Sequence, residues 1–196
     1  MEMKDCRQDL KDNKKIQDAV TTILKEIGED SNREGLKRTP FRIAKAYEEW
    51  FGGYGIEPDN VLNRQFTESC GIVLEGPISF YSHCEHHMAP FWGTVWIAYI
   101  PRKYVTGLDK MVKLVEVYSR RLQIQERLTQ QITDGLYKNL ECEGVMVIVD
   151  AKHLCVSSRE TKNDTTRTVT SEVRGAFATD LGARKEVLDL IKICNK

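Results

Sequence analysis

Between residues 14 and 27 the apolar side chains fall at Ile16, Val20, Ile23, Leu24 and Ile27, a three-and-four spacing that puts them on one face of a helix ending at Gly28. The polar run 29–35 predicts a loop. Thr39 followed by Pro40 predicts a second helix, with Thr39 as N-cap and Pro40 at the first helical position, reaching about Phe51. Gly52, Gly53 and Gly55 then open a loop. From Gly71 the texture changes. Runs of β-branched and aromatic residues at 72–74, 78–81 and 94–100, broken by Gly76-Pro77 and Pro90 and closed by Pro101, predict strands. Met111, Val112, Leu114, Val115 and Tyr118 mark a helix that follows Gly107, Leu108 and Asp109. Ile124, Leu128, Ile132 and Leu136 mark another, ending near Asn139. Residues 145–149 form a solid apolar strand, 167–173 alternate, and 184–193 form a last amphipathic helix. Helices, then two strands, two helices and two strands make an α+β pattern. No fixed-period repeat or low-complexity tract interrupts it.

A chain of 196 residues, 41% of them apolar, holds one core. We expect a helical extension at residues 1–70 and a catalytic domain at 71–196. Lys+Arg and Asp+Glu are equal at 29 each, so no bulk basic charge points to a nucleic-acid or membrane partner. No stretch approaches the roughly 18 apolar residues of a membrane span, and the first residues carry no apolar signal core. A cytoplasmic location is expected. Of the six cysteines, Cys6, Cys70, Cys142 and Cys194 are irregularly spaced and are expected to be reduced bystanders.

The remaining two cysteines stand among the histidines. All four histidines fall in two short segments, Ser82-His83-Cys84-Glu85-His86-His87 and His153-Leu154-Cys155. Thiolate and imidazole are the ligands zinc prefers, and three of them with one open position make a catalytic site. Cys84 and His87, three apart, can face one metal from a single turn, and Cys155 approaches from the segment after Val149. A structural zinc site, or buried residues with no metal, are the blander alternatives. His83 is a spare imidazole, either a fourth ligand or a neighbour. His86 and His153 remain as proton carriers near neutral pH, which suits hydrolysis at an electron-poor ring carbon or amide.

These segments, together with Gln123-Ile124-Gln125-Glu126-Arg127-Leu128-Thr129 and Thr168-Val169-Thr170-Ser171, closely resemble GTP cyclohydrolase I, in the same order along the chain. The likeness runs from about Glu29 to Phe177. It implies the tunnelling fold, a four-stranded antiparallel sheet carrying two helices, preceded here by N-terminal helices. It also implies assembly into rings and a homodecamer with sites between subunits. Zinc would be held by Cys84, His87 and Cys155, and water activated there would attack C8 of guanine. The imidazole ring opens, formate leaves, and 7,8-dihydroneopterin triphosphate forms. By matching position, His86 and His153 carry protons, while Gln125 and Glu126 read the guanine edge, whose adjacent N–H donors suit a carboxylate. Without the resemblance, Gln125 and Glu126 are an exposed helix face.

At the triphosphate end the resemblance expects cations at Arg42, Lys45, Lys110, Lys113 and Arg159. The family commonly has serine where this chain has Asp109, arginine at Lys113 and glycine at Glu160. Asp109 can cap a helix as serine does, but its charge sits where a phosphate would be welcomed. Lys113 lacks the bidentate fork of arginine, and Glu160 places a negative charge beside Arg159. Either phosphate grip is weakened, favouring a nucleotide with fewer phosphates, or these side chains pair in a rearranged site. Two rivals stand against the whole assignment. One is another tunnelling-fold enzyme acting on purines or pterins. The other is a non-catalytic zinc protein with four protein ligands.

Overall fold

A computed structural model describes residues 13–62, 65–68, 71–159 and 162–194. Cys6, Cys70 and Glu160 lie outside the described residues. The chain divides into two compact units, residues 1–55 and 56–196.

In the first unit, helix α1 (Lys14–Glu26) packs on helix α2 (Thr39–Trp50) through Val20, Leu24 and Ala44. The apolar stripe of α1 predicts this face. Tyr47 sits edge-on against Phe51 at 5.2 Å and closes the end of α2. Helix α2 starts one residue earlier than expected: Arg38 occupies the cap position, and Thr39 makes no capping hydrogen bond.

The second unit opens with a 3-10 turn (Pro58–Asn60), followed by β1 (Gln65–Thr67), β2 (Val73–Cys84), β3 (Pro90–Ile100) and β4 (Tyr104–Thr106). Then come α3 (Leu108–Ser119), β5 (Leu122–Gln123), α4 (Gln125–Asn139), β6 (Gly144–His153) and the single turn α5 (Leu154–Ser157). Strand β7 (Thr168–Gly175), the short α6 (Ala176–Thr179) and α7 (Leu181–Cys194) complete it. The four long strands form the expected four-stranded antiparallel sheet, in the order β2-β3-β6-β7, and β5 adds a short parallel pairing on the outer side of β2. Strands β1 and β4 form a separate two-stranded ribbon.

Alternation along the strands sends one set of side chains under the helices. Ile78, Phe80, Val95, Ile97, Tyr99, Val145, Val147 and Val149 meet Met111, Leu114, Val115 and Tyr118 of α3 and Leu128, Ile132 and Leu136 of α4. A second cluster joins Ala98, Met146 and Phe177 to Val187 of α7. Burying each large aliphatic side chain contributes about 2 kcal/mol, so the eight strand positions dominate the hold on both helices.

Strand β2 does not break at Gly76-Pro77. A bulge between Glu75 and Ile78 shifts the register, and pairing with β3 resumes on the far side. Proline, which has no N–H to give a ladder, is tolerated at such a bulge. Gly76 has a φ of 148°, and a Cβ there would lie 2.5 Å from the Trp96 ring, so no larger residue fits. Glu75 stands on the near side of this bulge. Burial, with Asp109 nearby, pushes its carboxyl up to about 7, and its Oε2 is buried without a hydrogen-bond partner.

Candidate metal centre and its surroundings

The turn joining β2 to β3 is built from its own backbone. The Cys84 N–H donates to the Ala89 carbonyl at 2.9 Å, and the Cys84 carbonyl accepts from Met88 at 2.7 Å. Met88 takes a φ of 52° to close it. Cys84 thus ends the strand buried, and His87 stands on the turn with its Nδ1 3.8 Å from the Cys84 Sγ. Cys155 arrives from α5, the turn at the end of β6. One ligand atom from each of Cys84, His87 and Cys155 lies within 4.8 Å of the others.

Two thiols and an imidazole at this separation fit a soft divalent cation. Burial and the adjacent Cys84 sulfur push the Cys155 thiol up, with Arg159 opposing. A bound cation supplies the charge that lets both sulfurs act as thiolates. His83 is not in this group. It precedes Cys84 on β2, so strand alternation sends it to the opposite face, where burial lowers its pKa.

His86 is on the exposed side of the turn, its Nδ1 4.0 Å from the Cys84 Sγ. His153 is the last residue of β6 and pairs in register with Phe91, whose ring stacks on the imidazole at 4.7 Å and 4°. Burial lowers the His153 pKa, while the Glu126 carboxylate opposes the shift. Helix α4 begins at Gln125 because Gln123 is pinned beside Cys84 by β5. Its first turn is tied to both ligand segments. Arg127 grips Glu85 of the metal turn through a bidentate pair at 2.5 and 3.1 Å, holding the Glu85 carboxyl below its usual range. Gln125 holds His153 at 2.8 Å. Glu126, between them, is exposed.

One chain therefore brings together Cys84, His86, His87, Gln125, Glu126, His153, Cys155 and, through its charge on Cys155, Arg159. Lys110 and Lys113 both stand on the first half of α3, and Lys110 pairs with Asp109 at 3.4 Å. Asp109 acts electrostatically on Glu75, nine residues before Cys84 on β2. An extended strand of that length spans about 30 Å, so the start of α3 stands toward the far end of β2 from the metal group. Asp109 also fails as the expected cap: Gly107 occupies that position, and no side chain caps the helix. Arg42 and Lys45 are on α2 of the first unit.

The sequence gives no hint of the roles of Phe91, Arg127, Thr129 and Thr170. Their partners are 41 to 62 residues away in chain order, and no local spacing announces them.

A family model described as GTP cyclohydrolase I matches residues 16–192. A protein of Carboxydothermus hydrogenoformans named GTP cyclohydrolase 1 is 48% identical over 182 residues, covering 92% of this chain and 95% of its own. Its namesake from Geobacillus kaustophilus is 50% identical over 179 residues, 90% of this chain and 95% of its own. One from Clostridium perfringens is 45% identical over 183 residues, 93% and 99% respectively. Among solved structures, that of the archaeosine synthase QueF-Like in the apo form aligns with 56% of this chain and 98% of its own at 19% identity and a TM-score of 0.45.

Proposed function

The chain belongs to the GTP cyclohydrolase I family, and from that premise we infer that it hydrolyses GTP to 7,8-dihydroneopterin triphosphate and formate at the Cys84, His87 and Cys155 centre. The observation that carries this reading is the convergence of those three ligand atoms within 4.8 Å, with His86 and His153 on the two ligand-bearing segments. The metal is proposed to be zinc, which when bound supplies Lewis acidity for opening the five-membered ring at C8. The protein's own groups do the rest. His153, stacked on Phe91, and His86, on the open side of the turn, are placed to take and return protons. Glu126, exposed at the start of α4, offers a carboxylate to the N–H donors of the guanine edge. Arg127 and Glu85 keep that helix end and the metal turn in fixed relation.

Lys110 and Lys113 are proposed to serve the metal group of a neighbouring chain in an assembly, while Arg159 stays with its own. Lys110 pairs with Asp109, whose charge acts on Glu75 toward the far end of β2 from the metal group of its own chain. A ring in which the Cys84 end of one chain meets the Lys110 end of the next brings the two together. The sheet edges support this reading: among the described residues β7 has an unpaired outer edge, and β5 covers β2 only at His83 and Cys84. Open edges are templates for pairing with another copy. We take the assembly to be the decamer that the family resemblance implies. No helix of the described residues is long and apolar enough to cross a membrane, and a cytoplasmic location fits a GTP-consuming enzyme.

The test is formate release and the ultraviolet spectrum of the product when zinc-loaded protein is given GTP. Formate with a pterin spectrum is the expected result; absence of formate overturns the assignment.

A second component concerns the phosphate end. Lys110 is partly neutralised by Asp109, whose charge also acts on the Glu75 carboxyl. Asp109→Ser frees the lysine and removes a charge from the first turn of α3. Together these contribute about 1 kcal/mol, so KM for GTP is expected to fall roughly fivefold while that for guanosine stays put. Steady-state kinetics across GTP, GDP, GMP and guanosine check it. An unchanged GTP preference in the variant refutes a weakened phosphate grip.

A further inference from the structure

The Gln125 side chain has no free group to offer a substrate. Gln125 is only 2% exposed. The two hydrogens on its Nε2 are shared among the Val149 carbonyl at 3.0 Å, the Thr168 carbonyl at 2.9 Å and the Thr170 hydroxyl at 3.2 Å. The two carbonyls can only accept, so the amide is not reversible: its nitrogen must face the strands and its oxygen must face His153. The hydroxyls agree. Thr129 Oγ1 donates to the Gln125 carbonyl at 2.8 Å. It therefore accepts the Thr170 proton across their 2.7 Å contact, leaving the Thr170 oxygen to accept from the amide. Gln125 Oε1, 2.8 Å from His153 Nε2, is then an acceptor by elimination, and His153 Nε2 must carry the hydrogen. With Phe91 stacked parallel on the ring, both the plane and the tautomer of the imidazole are set.

We propose that Gln125 is a positioning residue that fixes His153 as its Nε2–H tautomer, so that Nδ1 is the atom exchanging protons during the reaction, and that its side chain does not read the nucleobase. Side-chain recognition of the base at this helix end then belongs to Glu126. The inference rests on the cyclohydrolase reading for the proton's purpose, but the tautomer itself needs no turnover.

Solid-state NMR of zinc-loaded protein carrying isotope-labelled histidine, with the His153 signals identified by their loss in His153→Asn, reads the tautomer directly. In the wild type at pH 8 we expect a protonated Nε2 and a bare Nδ1, and in Gln125→Leu a substantial Nδ1–H population. A wild-type Nδ1–H form, or a tautomer unchanged by Gln125→Leu, overturns the proposal. Kinetics separate positioning from reading. Gln125→Leu is expected to lower kcat about 100-fold, keep KM for GTP within about twofold, and preserve the preference for GTP over inosine triphosphate, which lacks the 2-amino group. Loss of that preference with a raised KM would make Gln125 a reader and refute the proposal. Thr170→Val, a milder change that removes one brace of the amide, is expected to lower kcat several-fold, also with KM unchanged, should the leucine variant fold poorly. Wild-type protein that releases no formate would overturn the cyclohydrolase reading, and the NMR result would still decide the tautomer.

Discussion

A Cys155→Ser chain is expected to lose its zinc and nearly all of its formate release. Cys84 and His87 come from a single turn, and Cys155 alone closes the set from the end of β6. A serine hydroxyl is too weak an acid to replace a thiolate ligand near neutral pH, so two ligands would remain where three are needed. Losing Lewis-acid assistance removes several kcal/mol of stabilisation; at about 4 kcal/mol the rate falls by roughly three orders of magnitude. Zinc content per chain and formate release, measured on protein with an unchanged circular dichroism spectrum, test this together. Full zinc occupancy, or activity within about tenfold of the wild type, would remove Cys155 from the ligand set. The fold should survive, because Cys155 packs at the margin of the main core and not within it.

Glu75→Gln is expected to stabilise the protein above neutral pH and leave it unchanged in acid. The Glu75 carboxyl titrates near 4.5 in an unfolded chain and near 7 in the fold, because burial and Asp109 disfavour its charge. Below pH 4.5 it is protonated in both states and costs nothing. As pH rises through the window from 4.5 to 7, the unfolded state releases its proton first, binds fewer protons than the native state, and gains ground. Above 7 the loss is complete. The full shift corresponds to about 3 kcal/mol, which solvent reaching the half-buried carboxyl reduces to about 1–2 kcal/mol. Glutamine, neutral throughout, removes that slope. Thermal midpoints at pH 4 and pH 8 are expected to coincide with the wild type at the first and exceed it by about 2–6 °C at the second. Parallel pH profiles for the two proteins would show that Glu75 is not the source.

Much of this architecture can be read from the chain because its long elements repeat a simple period. The stripes of α1, α3 and α4 and the apolar runs of β3 and β6 each bury one face, and burial is what the period encodes. Short elements carry no such period: β1, β4 and β5 have two or three residues each and exist only through their partners. The bulge at Gly76-Pro77 reads as a break because both residues usually end strands, yet Trp96 beneath Gly76 and resumed pairing at Ile78 keep β2 whole. At the metal centre, residue chemistry and spacing already single out Cys84, His87 and Cys155. The place of Gln125 is different. Its neighbourhood on a helix suggests an outward-facing side chain, and only the packing of the α4 start against β6 and β7 turns it inward to His153. Asp109 shows the reverse error: its residue type suits a cap, but the helix begins two residues too early for it.

The separation of the Cys84 end from the Lys110 end along β2 has a genetic consequence. If every reaction centre draws one end from each of two neighbouring chains, a lesion belongs to a junction and not to the polypeptide that carries it. Two alleles that are each null, one damaged at Cys155 and the other at Lys110, would complement in a mixed ring, since about a quarter of randomly formed junctions would combine two sound ends. Co-expression would then yield activity that neither parent has, and selection on this sequence would act on how well a chain serves its neighbour.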